Sequence, residues 1–77
     1  MEIIRKMIQN WHVILPEYYE SVKPFKINNT KKGRLLVCYT REPAVEKSFK
    51  LIQKEIIDMI NFTFGSDFIV SCKINLL

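Results

Sequence analysis

Residues 25–41 of the chain read FKINNTKKGRLLVCYTR, and this stretch decides the fold. Its second half, residues 34–40, contains two alternating sets of side chains that are almost entirely apolar. One set is Leu35, Val37 and Tyr39, and the other is Leu36, Cys38 and Thr40. Because successive side chains of a β-strand point to opposite faces of the sheet, this strand would be apolar on both faces. The pattern predicts the central strand of a sheet.

A polar turn precedes the predicted central strand. Residues 28–33 read NNTKKG, which is typical of a hairpin turn. Before the turn, Phe25 and Ile27 form a short alternating apolar pair. Pro24 should end any helical structure, since proline lacks the amide hydrogen that a helix requires. We therefore predict a β-hairpin whose first strand is short.

Residues 2–19 have the period of an amphipathic helix. Their apolar side chains recur at steps of three and four, and they are Ile4, Met7, Ile8, Trp11, Ile14, Leu15 and Tyr18. Pro16 removes a backbone donor and disfavours a helical conformation at Leu15. The helix should therefore kink or restart at Pro16.

Residues 43–64 have the same period and predict one long helix. Pro43 suits its first turn, and Gly65 suits the left-handed conformation that often follows a helix. After a turn at residues 65–67, residues 68–76 alternate in polarity and predict a closing strand.

The predicted fold class is α+β, in the order helix, strand, strand, helix, strand. A three-stranded sheet of this size needs both helices on one face to bury that face. The chain has 77 residues, of which 48% are hydrophobic. This length leaves room for one core, so residues 1–77 are predicted to form a single domain.

The net charge of +4 arises in the middle of the chain. Residues 1–21 and residues 42–77 each sum to −1, whereas residues 22–41 contain six basic residues and no acidic one. The six are Lys23, Lys26, Lys31, Lys32, Arg34 and Arg41. Such a segment favours contact with nucleic-acid phosphates if its charges lie together on the surface, and a solvated turn is the alternative. Tyr19 and Tyr39 are candidates for stacking on unpaired bases, with burial in the core as the alternative.

Catalytic and cofactor sites are not predicted. His12 is the one histidine, Cys38 and Cys72 lack the spacing of a zinc site, and two distant glycines cannot form a phosphate loop. We expect a non-enzymatic protein with no metal, no cofactor and no small-molecule substrate. With no signal peptide and no membrane-spanning apolar run, we expect a soluble, cytoplasmic protein with no membrane partner. A reducing compartment favours free cysteines, and a disulfide between Cys38 and Cys72 is the alternative if their strands pair.

A set of residues spread along the chain matches the sequence pattern of a known protein family. They are Trp11 in the first helix, Pro24, then Gly33, Leu35, Val37 and Tyr39 of the central strand, Pro43 and Ala44 at the start of the second helix, Ile60, Asn61, Phe64 and Gly65 at its end, and Val70 and Ile74 in the last strand. In their order and spacing these residues resemble the DciA family, bacterial proteins that assist loading of the replicative helicase. The resemblance implies a KH-like domain of type II that binds DNA and a DnaB-type helicase and does not hydrolyse nucleotides. The Gly-x-x-Gly loop of ordinary KH domains is missing from this sequence.

Three hypotheses follow. The first is a DNA-binding accessory factor of DNA replication, whose six basic residues contact phosphates of single-stranded or duplex DNA. The second is an RNA-binding KH-like module. The third is a protein interaction module that makes no nucleic-acid contact and docks its basic strands on an acidic partner.

Overall fold

Three helices and three strands make up the part of the chain that the computed structural model describes, which is residues 2–77, with side chains from Ile4 onward. The elements are α1 (Glu2–Ile14), β1 (Val22–Thr30), β2 (Gly33–Thr40), α2 (Pro43–Leu51), α3 (Gln53–Phe64) and β3 (Ser71–Leu76). The predicted α+β class and order of elements are confirmed, except that the second helix is divided into two.

The strands form one mixed sheet in the order β1-β2-β3. β2 pairs antiparallel with β1 and parallel with β3, so the predicted central position of β2 is confirmed. A parallel pair requires a long crossover connection, which α2 and α3 provide. This arrangement is compatible with a small KH-like fold.

The core lies between one face of the sheet and the helices. Leu36 and Cys38 of β2 are fully buried there, together with Phe49 of α2 and Ile56 of α3. From α1, Trp11 reaches the sheet and its indole N–H donates a hydrogen bond to the backbone oxygen of the first residue of β1, at 2.6 Å. The helices therefore cover one face of the sheet, as predicted, and leave the other face open.

The first helix is shorter than predicted. α1 ends at Ile14, and residues 16–21 form turns in place of a restarted helix. Leu15 still donates its N–H to the oxygen of Trp11, at 2.9 Å. Pro16 has no N–H with which to continue that series, so the helix stops.

The predicted long helix is broken at Ile52, whose backbone leaves the helical region with φ −117° and ψ 25°. Neither glycine nor proline occurs near the break, so no local signal predicts it. Phe49 before the break and Ile56 and Ile60 after it are each fully buried in the same core.

The first strand is longer than predicted. β1 covers nine residues, and the turn is reduced to Lys31 and Lys32, because residues 28–30 pair with residues 33–35. Pro24 lies inside β1, where an edge strand tolerates the missing donor, and does not mark the end of a helix. The register shifts between Pro24 and Lys26, which leaves Phe25 in a β-bulge.

The connection from α3 to β3 is held by side chains. The amide of Asn61 accepts a hydrogen bond from the N–H of Ile69 at 2.8 Å and donates one to its oxygen at 3.0 Å. The predicted last strand therefore begins later, at Ser71.

Among the described residues, no helix combines the length and the apolar character needed to cross a membrane.

Candidate nucleic-acid interface

The face of the sheet opposite the helices, here called the open face, is the candidate site. The register places three cross-strand pairs on it: Lys23 beside Tyr39, Lys26 beside Val37, and Val37 beside Lys73. The side chains assigned to this face by the register and the bulge are Lys23, Phe25, Lys26, Asn28, Leu35, Val37, Tyr39, Ser71, Lys73 and Asn75. None of these residues is acidic, so the face is cationic.

Val37 shows how the lysines lie on this face. Its side chain is only 4% exposed although no helix covers this side of the sheet. Its neighbours across the two ladders are Lys26 and Lys73. The aliphatic stems of two lysines can cover an apolar side chain while their ammonium groups stay in water. We therefore interpret the burial of Val37 as the result of a lysine on each side of the central strand.

Two aromatic side chains, Phe25 and Tyr39, lie among the lysines of the open face. Phe25 is 59% exposed because the bulge directs it outward. Its ring meets Tyr39 edge to face, with centroids 6.2 Å apart and an angle of 84° between the planes. The ammonium of Lys26 lies 5.7 Å from the centroid of Phe25, within the range of a cation–π contact. The ring of Phe25 is therefore exposed among lysines and accessible to a ligand.

A shallow depression of about 290 Å³ lies beside this aromatic pair. It is lined by Phe25, Tyr39, Arg41, Asn75 and Leu77. Arg41 follows the end of β2 and is exposed, so it adds a guanidinium to the end of the open face. Of the predicted phosphate contacts, Lys23, Lys26 and Arg41 therefore lie together.

The remaining three predicted contacts lie elsewhere. Lys31 and Lys32 form the exposed tip of the hairpin, beyond the end of the ladder. Arg34 is half-buried: its Nη1 donates to the backbone oxygen of Phe68 at 3.2 Å, and its guanidinium lies 4.9 Å from the centre of the Phe68 ring. Arg34 thus joins β2 to the connection before β3, and the structure does not bring it together with the lysines of the open face.

Among the described side chains, no carboxylate forms an ion pair with a cation of the open face. Within the described side chains, the ion pair present is Lys50 with Glu46, 3.5 Å apart on α2. The three strands contain no aspartate or glutamate. The open face therefore keeps a positive potential that would attract a polyanion.

Tyr19 lies away from the open face, in the connection between α1 and β1. Its hydroxyl donates to the carboxylate of Glu20 at 3.1 Å, and this hydrogen bond, with the negative charge of Glu20, raises the pKa of Tyr19. Its ring meets His12 edge to face, with centroids 6.2 Å apart. Only Tyr39 of the two predicted stacking residues belongs to the open face.

Lys73 and Phe25 are site residues that the sequence prediction omitted. Lys73 sits at a polar position of the alternating last segment, but alternation alone does not say which strand it pairs with. In the sequence, Phe25 alternates with Ile27 as a short apolar pair, and no local sequence pattern predicts the bulge that exposes its side chain. The parallel register and the bulge bring both residues to the open face.

The two cysteines lie on the buried face and are both free thiols. A hydrogen bond with the Cys72 thiol, together with burial, raises the pKa of Cys38 above its ordinary range. Within the described part of the chain, no three His, Cys, Asp or Glu side chains are grouped as metal ligands would be. Because both thiols are buried, neither is accessible to reagents at the protein surface.

Comparison of the chain with models of known protein families, with curated proteins and with solved structures returned no match. The function is accordingly inferred from the open face and from the resemblance of the sequence pattern.

Proposed function

We propose that this domain is a non-enzymatic, DNA-binding accessory factor of DNA replication that holds single-stranded DNA on the open face. The observation that carries the proposal is the contact of exposed Phe25 with half-buried Tyr39 on the same face as Lys23, Lys26 and Lys73. The place in replication, beside a DnaB-type helicase, comes from the resemblance to the DciA family.

The chemistry of the open face favours a single strand over a duplex. Unpaired bases offer flat surfaces that stack on aromatic rings, at about 1–3 kcal/mol per base, whereas a duplex hides those surfaces. Reading a duplex requires a helix or ribbon that enters a groove, and a flat sheet face projects neither. Lysines on both sides of the rings are placed to meet the phosphates that follow each stacked base.

A second surface supports the protein-partner part of the proposal. Phe62 of α3 is 92% exposed, and it borders an apolar groove of about 460 Å³ between α1 and α3. The other apolar residues that line this groove are Val13, Ile14, Pro16 and Met59. We call this the Phe62 groove. It lies on the helical side, away from the open face, so a helicase contact there would leave the DNA surface free.

The DNA part is tested with two double variants of equal net charge. Lys26→Gln with Lys73→Gln removes two cations from the open face, and Lys47→Gln with Lys54→Gln removes two exposed cations from α2 and α3. Binding of a fluorescent oligo-dT is followed by anisotropy at several salt concentrations. Each phosphate contact on a single strand contributes about −0.7 to the slope of log affinity against log salt, so the first pair should flatten the slope by roughly 1.4. The control pair should leave the slope unchanged.

An equal effect of both pairs would mean that charge acts nonspecifically, and the open face would lose its assignment. Duplex DNA and oligo-U, measured beside oligo-dT, separate the alternatives. Tighter binding of oligo-U would favour the RNA-binding module, and no binding of any of the three would favour a protein interaction module.

The helicase part is tested with a purified DnaB-type helicase in the presence of nuclease. Phe62→Ser should abolish the interaction, because it removes the most exposed aromatic side chain of the Phe62 groove. Retained binding by this variant would sink the assignment of that groove.

A further inference from the structure

A second groove lies between α1 and the beginning of β1, at the border of the open face. Its volume is about 480 Å³, within the range of about 300–1,000 Å³ that is usual for pockets that bind small ligands. The residues that line it are Ile8, Trp11, His12, Tyr19, Lys23, Pro24 and Tyr39. We call it the α1–β1 groove.

The groove is continuous with the open face. Lys23 and Tyr39 line the groove, and both also belong to the open face. β1 is an edge strand, so no further strand separates the two surfaces. A chain lying across Phe25 and Tyr39 can therefore pass over Lys23 and enter the groove without leaving the protein surface.

Apart from Lys23 at the border with the open face, the lining of the groove suits a base better than a phosphate. Ile8 is an exposed apolar side chain, and the rings of His12 and Tyr19 form an edge-to-face pair that leaves ring surface accessible. The carboxylate of Glu20, which accepts the hydrogen bond of the Tyr19 hydroxyl, would repel a phosphate beside that ring. The indole N–H of Trp11 is already used by Val22 and is not available to a ligand.

Lys23 supplies the phosphate contact at the entrance. One of its ammonium hydrogens is donated to the backbone oxygen of Tyr19, at 2.8 Å. A lysine ammonium has three donors, so two remain. The hydrogen bond to Tyr19 fixes this cation where the groove meets the open face, which is where the backbone of a passing strand would lie.

We propose that the α1–β1 groove receives one unstacked base of the single strand that occupies the open face, with Lys23 on the adjoining phosphate. This inference rests on the proposed function, since it uses the same strand. It gives the DNA-binding surface a defined end. It also assigns a role in binding to His12 and Tyr19, which lie outside the hydrophobic core.

The test uses photocrosslinking with oligo-dT in which one thymine at a time is replaced by 5-iodouracil. Crosslinked peptides are then identified by mass spectrometry. One position of the label should give crosslinks to His12 or Tyr19, and positions a few nucleotides away should give crosslinks to Phe25 or Tyr39. Crosslinks to Phe25 and Tyr39 alone would overturn the base pocket and leave the proposed function standing. Absence of DNA binding would overturn both.

A length series with a matched variant gives a second, independent readout. Tyr19→Ala should weaken binding of a long oligo-dT about 5- to 150-fold, the range that corresponds to loss of one stacked base. It should have no effect on an oligonucleotide too short to reach the groove from the open face. Leu51→Ala, which removes an exposed apolar side chain of α2, should change neither affinity. Equal affinities of wild type and Tyr19→Ala at every length would overturn the inference, and the thermal unfolding midpoint shows whether each variant is folded.

Discussion

At the scale of single residues, Trp11 connects the first helix to the sheet in two ways. Its ring is buried in the core, and its indole N–H is bonded to the backbone oxygen of Val22. The apolar contribution and the hydrogen bond can be separated, because phenylalanine keeps most of the ring and lacks the N–H.

We predict that Trp11→Ala lowers the free energy of unfolding by about 3–5 kcal/mol, as truncation of a buried aromatic side chain usually does. Trp11→Phe should lower it by less, about 1–3 kcal/mol, since a buried carbonyl loses its donor. Urea unfolding followed by circular dichroism measures both, because Trp11 is the one tryptophan and its fluorescence is lost in the variants. An unchanged free energy of unfolding in Trp11→Phe would show that the hydrogen bond contributes nothing measurable, and equal losses in the two variants would show that the buried ring contributes nothing beyond it.

The Cys38 thiol makes stability depend on pH in the alkaline range. Its pKa is raised in the folded state, so the folded protein keeps the proton while the unfolded chain loses it above a pH of about 8.5. The contribution is therefore complete below that pH and is lost as pH rises, by about 1.4 kcal/mol per pH unit.

We predict that Cys38→Ala flattens the decline of unfolding free energy between about pH 8.5 and 10 relative to wild type, whatever its effect on stability at pH 7. Urea unfolding at several pH values, under reducing conditions, measures the slope. Parallel curves for the two proteins would contradict a raised pKa at Cys38.

At the scale of secondary-structure elements, the β-hairpin depends on Gly33. Its φ of +136° is one that residues with a side chain rarely adopt, and a Cβ at this position would lie 2.8 Å from a methyl carbon of Val70. Gly65 also has a positive φ, of +128°, but a Cβ there would meet no atom within 4 Å. Alanine substitutions at the two glycines therefore distinguish the cost of backbone strain from the cost of steric overlap.

We predict that Gly65→Ala destabilises the fold by about 1–3 kcal/mol through backbone strain alone, and that Gly33→Ala destabilises it by more. Adding Val70→Ala to Gly33→Ala should remove part of the difference, because it removes the methyl groups that the new Cβ would meet. Thermal and urea unfolding of the four proteins measure these effects. If Gly33→Ala were no worse than Gly65→Ala, the close approach of Val70 would be irrelevant to stability.

The elements also differ in how far local pattern determines them. β2 has apolar side chains on both faces and was predicted as the central strand. The break at Ile52 was not predicted, because the residues on both sides of it keep one continuous helical period.

At the scale of the whole molecule, the two proposed surfaces lie on different sides of a small body. The structure measures 29 × 25 × 22 Å, and the Debye length at physiological ionic strength is about 8 Å. Charges on the open face are therefore largely screened from a partner at the Phe62 groove. Binding at one surface should leave the affinity of the other unchanged.

We predict a ternary complex of this domain, single-stranded DNA and a DnaB-type helicase. Phe62→Ser should lose the helicase and keep the DNA, and Lys26→Gln with Lys73→Gln should weaken DNA binding and keep the helicase. Analytical ultracentrifugation with a labelled oligonucleotide measures both contacts in one sample. Competition between DNA and helicase for the domain would contradict separate surfaces.

The sequence by itself determined the fold class, the order of the elements, the central strand and the cationic character of residues 22–41. These properties depend on alternation, helical period and charge, which are local and can be read along the chain. Only the tertiary structure decided which cations act together. The parallel register placed Lys73 beside Val37, the bulge directed Phe25 outward, and Arg34 turned toward Phe68. Contacts between residues far apart in the chain depend on how the sheet and helices pack, and no local pattern determines them.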